Sequence, residues 1–197
     1  MATVVRAREA QRLETRARLF DVAVAEISRA GLARADVSAI VAAAGVARGT
    51  FYFHFPTKEH VVVELERAEE ATIVAQLGTP GTSLEDLTSM LTRLVGHVLD
   101  AEHRLGSLIF RDMLGLHFSP TRPLDDELSA HPLAEFVIAA IANAQTAGSV
   151  APEADAGELG VIFMTGLFAL LAIAAPEARA AILDRYLQTT VQGMEKR

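Results

Sequence analysis

The chain has 197 residues, of which 51% are hydrophobic and 22% are charged, and it contains no cysteine. This apolar content excludes an intrinsically disordered chain, and the lack of cysteine excludes disulfide frameworks, thiolate zinc sites and cysteine nucleophiles. The net charge is −7, but nine basic and six acidic residues give residues 1–60 an excess of three positive charges. A basic segment on an otherwise acidic chain permits contact between that segment and a polyanion.

The first 60 residues have the pattern of three helices. One apolar stripe at helical spacing predicts the first helix, which Gly31 ends; its members are Leu13, Ala17, Phe20, Val24 and Ile27. Asp36 is placed to cap a short second helix, and Gly45 breaks that helix. A third helix is expected over about 47–53, and Pro56 disfavours its continuation.

The rest of the chain also has helical periodicity, with breaks at glycine and proline. The predicted helices cover about 57–77, 82 or 83–102, 104–118 (separate or continuous with the one before), 125–147 with a kink or restart at Pro132, 155–174 and 176–194. The first 20 residues are charged and have no continuous apolar run, so we expect no secretory signal and a cytoplasmic location. No alternating strand pattern is visible, so the sequence predicts an all-α fold.

The segment VSAIVAAAGVARGTFYFHFPTKE, residues 37–59, has the pattern of a helix-turn-helix, whose second helix enters the DNA major groove. On that helix Arg48 and Tyr52 are four residues apart and share a face, as do Thr50 and His54. Phe51 points in the opposite direction, towards the first helix of the motif. The outward face thus carries donors for phosphates and bases, and Arg48 is suited to bidentate reading of guanine.

The block GVARGTFYFHFPTKEHVV resembles the DNA-binding signature of the tetracycline-repressor (TetR) family. The resemblance covers about residues 11–65. It implies contacts to bases or phosphates from residues on both helices of the motif and from the helix that follows: Val37, Ser38, Arg48, Gly49, Thr50, Tyr52, Phe53, His54 and Lys58. Two positions depart from the family pattern, since Ala47 replaces a capping residue and Ser38 replaces a basic one. The alternative is that the aromatic residues only fill a helical core.

The resemblance also implies a domain boundary, with a helix-turn-helix domain over 1–58 and an effector-binding and dimerisation domain over 59–197. The helix-turn-helix domain, residues 1–58, is called the head. It is small and reads few base pairs, so we expect a homodimer on a palindromic operator. The family pairs its last two helices, here about 155–174 and 176–194. Residues 159–176 carry no charged side chain, which suits a helix buried on all sides; a membrane anchor is the alternative.

Large apolar residues between the head and the last helices are candidates for an effector pocket, or alternatively for a solid core: Phe110, Met113, His117, Phe118, Phe136, Phe163 and Met164. We expect a small apolar or aromatic effector. His97, Asp100 and His103 fit a solvated helix surface better than a metal site, so neither a metal nor a cofactor is expected. No catalytic grouping is present at a meaningful spacing, and the chain is expected to be a ligand-released repressor rather than an enzyme. A helical carrier or enzyme that never binds DNA is the other alternative.

Overall fold

The computed structural model describes residues 2–80, 85–127 and 130–195. These residues form helices joined by turns and contain no β-strand, which confirms the all-α prediction. The helices are α1 (Ala2–Ala30), α2 (Val37–Ala44), α3 (Arg48–His54), α4 (Lys58–Leu77), α5 (Leu87–Leu105), α6 (Ser107–Leu116), α7 (Pro132–Thr146), α8 (Ala156–Ile173) and α9 (Pro176–Met194).

The chain divides into two compact units, Met1–Leu65 and Glu66–Arg197. Helix α4 therefore contributes its first turns to one unit and its later turns to the other. The predicted boundary after residue 58 falls at the first residue of α4, and it stays a prediction.

In the first unit, α1 packs against α2 through a stripe that differs from the predicted one. Leu19, Ala23 and Ile27 are fully buried, whereas Leu13 is 54% exposed and Ala17 is also exposed. Four-residue steps place the buried three on one helix face. The helix predicted from the apolar stripe is confirmed, but Leu13 and Ala17 are exposed because the buried part of α1 begins only at Leu19, and residues 6–14 are exposed on every side.

The turn between α2 and α3 has the predicted chemistry. Asp36 caps α2 by accepting a hydrogen bond from the Ser38 backbone N–H at 2.8 Å. Gly45 ends the helix with φ of 65°, a left-handed conformation that side chains disfavour. Ala47 precedes α3 and makes no side-chain cap, as expected from its methyl group.

In the second unit, Gly106 (φ 88°) separates α5 from α6, so the predicted helix over 104–118 is a separate one. Asp86 caps α5 through the Ser89 backbone N–H at 2.7 Å; the predicted start at Thr82 or Ser83 lies outside the described residues. The helix predicted from residue 125 begins instead at Pro132. Proline lacks an N–H and restricts the residue before it, so it starts the helix rather than kinking it.

Helix α8 contacts α6, α7 and α9. The Tyr186 hydroxyl on α9 donates a hydrogen bond to the Phe163 carbonyl at 2.6 Å. Gly166 permits this approach because it has no side chain: a Cβ at this position would lie 2.5 Å from the same hydroxyl oxygen.

Within the described ranges, α8 is the one helix long and apolar enough to cross a bilayer, with a mean hydropathy of 2.0 and a third of its length buried. Core helices of soluble proteins meet the same test, so this finding is weak evidence for a membrane span.

Candidate functional site

The packing of Phe51 determines which face of α3 is exposed. Its side chain is fully buried, and its ring lies 5.9 Å from that of Phe55, centroid to centroid. Because the side chains of a helix point outward at about 100° intervals, burial of Phe51 turns its neighbours to solvent. Tyr52 is 45% exposed and Phe53 is 71% exposed. Phe51 is thus a core residue, and Tyr52 and Phe53 lie at the surface; the predicted direction of Phe51 towards α2 stays a prediction.

Arg48 lies at the centre of the exposed face. Its Nη1 donates a hydrogen bond to Ser38 Oγ at 3.0 Å, and its Nη2 donates one to the Tyr52 hydroxyl at 3.4 Å. The guanidinium also lies 5.8 Å from the centroid of the Tyr52 ring. The contacts bring residues of α2 and α3 together on one surface and hold the guanidinium in place, while its remaining N–H groups can still donate to an acceptor.

The other predicted contact residues surround Arg48 at different depths. Gly49 is exposed, Thr50 is half-buried, and the Phe53 ring lies edge-on to the His54 ring at 5.0 Å. Burial, followed by the charges of Arg16 and Arg12, lowers the pKa of His54. Val37 is 7% exposed, so a contact from this residue would come from its backbone. The DNA contacts of all these residues stay predictions.

Lys58 occupies a place that the sequence did not indicate. Its Nζ donates hydrogen bonds to the carbonyls of Leu32 and Ala35, both at 2.8 Å, and to that of Ala33 at 3.4 Å. The ammonium thus ties the start of α4 to the segment that follows α1. A phosphate contact from Lys58 stays a prediction, and it would have to share the ammonium with these carbonyls.

Substitution Lys58→Met should lower the free energy of unfolding by about 1–3 kcal/mol, because carbonyls in a partly buried segment lose their charged donor. Urea denaturation monitored by circular dichroism measures the change. Arg34→Met is the matched control, since exposed Arg34 donates to a single carbonyl, that of Ala30. Equal stabilities of the two variants would show that Lys58 does not fasten this segment.

The second unit contains a cavity of about 340 Å³, a size within the usual range for small-molecule sites. One part of its wall is mainly apolar and the other carries ionisable side chains: Phe118, Ala134, Val161, Met164, Thr165 and Phe168, with Glu70, His117, Arg122, Asp126 and His131. Of the predicted effector residues, His117, Phe118 and Met164 lie here. Phe110 and Met113 border a smaller cavity of about 20 Å³, and Phe136 and Phe163 are buried in the core. Their binding roles stay predictions.

The charged wall is a buried network centred on His131. Nδ1 of His131 lies 3.1 Å from Glu70 Oε1, and its Nε2 lies 2.9 Å from Asp126 Oδ1. Burial favours the neutral ring, but the hydrogen bond and charge of Glu70, followed by Glu66 and Asp126, outweigh it and raise the pKa of His131 to about 9. Burial raises the pKa of Glu70. Burial also acts to raise the pKa of Asp126, but the bond from His131 and the nearby arginines lower it.

Glu66, Glu70 and His131 were not expected from the sequence to act together. His131 is more than 60 positions from either glutamate, and only the two glutamates carry a local signal, because they are four residues apart and so share a helix face. His97, Asp100 and His103, the group considered in the sequence, lie at the surface of α5, with Asp100 and His103 exposed and His97 half-buried.

Comparisons with known proteins agree with the fold. Residues 19–65 match the profile of the bacterial regulatory proteins of the tetR family. The chain is 38% identical over 92 residues to the HTH-type transcriptional repressor KstR of Mycolicibacterium smegmatis, covering 43% of this chain and 45% of KstR. It is 31% identical over 96 residues to the regulator AcrR of Shigella flexneri, covering 46% of this chain and 45% of AcrR. The matches therefore span somewhat less than half the length of these relatives.

The fold of the whole chain resembles that of FadR from Thermus thermophilus, a TetR-family repressor whose crystal structure contains lauroyl-CoA. The TM-score is 0.78 at 20% identity, and the superposition covers 92% of this chain and 96% of FadR. The matched profile describes regulatory proteins, and the two curated relatives are transcriptional regulators rather than enzymes. The sequence motif, the helix-turn-helix geometry and the fold agree, and residues 19–65 form a DNA-binding domain of the kind found in the tetR family of bacterial regulatory proteins.

Proposed function

We propose that the protein is a cytoplasmic transcriptional regulator that binds a palindromic operator as a homodimer and acts as a repressor. The observation that carries this proposal is the exposed face of α3, where Arg48 bonds to Ser38 and Tyr52 beside the exposed ring of Phe53. Arginine in the first turn of a recognition helix suits a guanine edge, and a phenyl ring suits a thymine methyl or a sugar. KstR and FadR are both transcriptional repressors, which supports a repressor role for this chain.

The proposed dimer forms through α8 and α9. Between Glu158 and Glu177 the chain has no charged residue, yet Ile162 is 60% exposed and Ile173 is 79% exposed on α8. Burying such side chains removes roughly 1.5–3 kcal/mol of unfavourable hydration each, and a second copy of the same helix pair offers a complementary apolar surface. Contacts of α8 with α6, α7 and α9 in its own unit favour this arrangement over a membrane span.

Substitution Ile162→Glu should convert the dimer into a monomer, because it places a charge on the apolar face that two copies share. Analytical ultracentrifugation of the wild type and the variant measures the mass in solution. Ala142→Glu, at an exposed position of α7, is the control for an added negative charge outside this helix pair. A wild-type protein that sediments as a monomer would contradict the dimer, and so would an unchanged mass for Ile162→Glu.

The proposed effector is a small molecule with an apolar or aromatic body, held in the 340 Å³ cavity of the second unit. The rings of Phe118 and Phe168 and the side chain of Met164 provide the apolar part of the wall. The charged part of the same wall would meet a polar group of the effector. FadR, with the same fold, binds lauroyl-CoA, which has an apolar acyl chain.

The proposed release mechanism acts through α4. This helix carries Lys58 in the first unit and Glu70, a cavity residue, in the second. An effector that binds one position of α4 more tightly than another shifts the population towards that position. A displacement of α4 would reach the helix-turn-helix because α4 is continuous. The two recognition helices of the dimer would then no longer be spaced by one DNA turn, and they would lose base contacts.

Nuclease footprinting on the DNA that flanks its own gene tests the proposed function. The proposal predicts protection of a palindrome by the wild type, weakened steeply by added salt because bound phosphates release counterions. Tyr52→Ala should lose this protection while retaining the circular dichroism spectrum of the wild type. Absence of affinity for any genomic fragment would contradict the proposal and favour a helical carrier that never binds DNA.

A further inference from the structure

The second unit buries two carboxylates and an imidazole at one point. Glu66 and Glu70 lie four residues apart on α4, and His131 directly precedes α7. The three side chains belong to residues that are 2%, 5% and 3% exposed, respectively. One ligand atom from each residue lies within 4.8 Å of the other two. Carboxylate oxygens and imidazole nitrogens are the donors that divalent transition metals take in proteins.

Oxygen Oε1 of Glu66 pairs with His117, whereas its Oε2 lies farther from a basic partner than the Asp126 carboxylate does. Two adjacent carboxylates repel each other when both are buried, and burial raises the pKa of Glu70. Arg122 lies 3.8 Å from Glu66 Oε2 but only 2.5 Å from Asp126 Oδ2, and Arg67 also pairs with Asp126. The two arginines are thus engaged mainly by Asp126.

One oxygen of Glu66 has no hydrogen-bond partner. Its Oε1 contacts His117 Nε2, whereas its Oε2 is buried and accepts no hydrogen bond. A buried acceptor without a donor costs about 1–3 kcal/mol, so native structures rarely retain one unless water, an ion or a ligand fills the place. Arg122 Nη2, at 3.8 Å, is too distant to donate a hydrogen bond to Glu66 Oε2, and a cation in the cluster would supply the missing partner.

We propose that Glu66, Glu70 and His131 together bind one divalent transition-metal ion. The ion would take the place of the proton between His131 Nδ1 and Glu70 Oε1, which are now 3.1 Å apart, and it would give Glu66 Oε2 a partner. Glu70 and His131 also line the 340 Å³ cavity. A remaining coordination position is therefore available to water or to an atom of a molecule bound in the cavity.

The neighbours of His131 support the same assignment. Its Nε2 lies 2.9 Å from Asp126 Oδ1, and Arg67 and Arg122 hold that carboxylate in turn. A histidine that binds a metal through one nitrogen usually donates the other N–H to a carboxylate, which fixes the ring orientation and raises its basicity. Asp126 fills this positioning role without being a ligand.

Titration of the full-length protein with Zn²⁺, after removal of bound metals with a chelator, tests the proposal. Calorimetry should show one ion bound per chain, and Co²⁺ used in place of Zn²⁺ should give the visible absorption of a protein-bound ion. Glu66→Gln and His131→Gln should each weaken Zn²⁺ binding at least tenfold. Removal of a residue that only hydrogen-bonds to a metal ligand already costs about tenfold or more in metal affinity, so loss of a ligand should cost no less. Glu66→Gln keeps the shape of the side chain and removes a repelling charge, so we expect this variant to fold.

His103→Gln is the matched control, because His103 is an exposed histidine on α5. Its affinity for Zn²⁺ should equal that of the wild type, and circular dichroism verifies the fold of each variant. Two results would overturn the proposal: a wild-type protein that shows no saturable binding, or wild-type affinity in both Glu66→Gln and His131→Gln. These readouts do not involve DNA, so they stand whether or not the proposed regulator function is correct.

Discussion

Substitution Arg48→Ala should lower the affinity for the footprinted operator about tenfold to 100-fold. The guanidinium is held by Ser38 Oγ at 3.0 Å and by the Tyr52 hydroxyl at 3.4 Å, so little side-chain freedom is lost when it meets a base. A bidentate contact between arginine and guanine contributes about 1–3 kcal/mol of discrimination, which corresponds to this range of affinity. Fluorescence anisotropy of a labelled operator fragment measures the loss.

Arg29→Ala is the control for charge, because it removes one positive charge from the same unit. The Arg29 side chain is 71% exposed and pairs with Glu26 at 2.9 Å at the end of α1, away from the helix-turn-helix motif in sequence. Its operator affinity should stay within about threefold of the wild type, as expected for one exposed charge screened by salt. Similar losses for Arg48→Ala and Arg29→Ala would show that binding depends on charge alone and that α3 does not read bases.

Substitution Phe51→Ala should lower the free energy of unfolding by about 3–5 kcal/mol, the usual cost of removing a fully buried phenyl ring. Phe51 is completely buried and contacts the rings of Phe55 and Tyr52, at centroid distances of 5.9 Å and 5.4 Å. Urea denaturation monitored by circular dichroism measures the difference.

Phe53→Ala is the comparison variant for Phe51→Ala, because it removes the same phenyl ring from a position two residues later in α3. Phe53 is 71% exposed, so its removal should change stability by less than about 0.5 kcal/mol, whereas it should weaken operator binding if the ring faces DNA. Opposite effects of the two substitutions would separate the core face of α3 from its binding face. A Phe53→Ala variant as unstable as Phe51→Ala would contradict this assignment of faces.

The helix-turn-helix could be predicted from the sequence because its signals are local. Asp36 and Gly45 act within a few residues of their own positions, and the structure confirms the cap at one and the left-handed turn at the other. Likewise, Arg48 and Tyr52 are four residues apart, so helical spacing alone places them on one face of α3, where their side chains are in contact. Asp155, which accepts a hydrogen bond from the Glu158 backbone N–H, begins α8 in the same way.

Features that depend on distant contacts could not be predicted. Whether Leu13 or Leu19 is buried depends on where α1 meets the other helices of its unit, and both positions look equally apolar in the sequence. The cluster of Glu66, Glu70 and His131 forms because α7 begins at Pro132 and brings a residue from 61 positions away beside α4. Lys58 is similar, since its three carbonyl partners lie 23 to 26 residues earlier in the chain.

The proposed function requires that the exposed face of α3 reads a specific DNA sequence from two copies of the chain. Selection of bound fragments from a random double-stranded DNA library, followed by sequencing, tests this claim without knowledge of the operator. The wild type should enrich one palindrome whose half-sites lie about one helical turn apart, and Arg48→Ala should lose that enrichment. A wild-type protein that enriches no sequence under low salt would show that α3 does not read DNA.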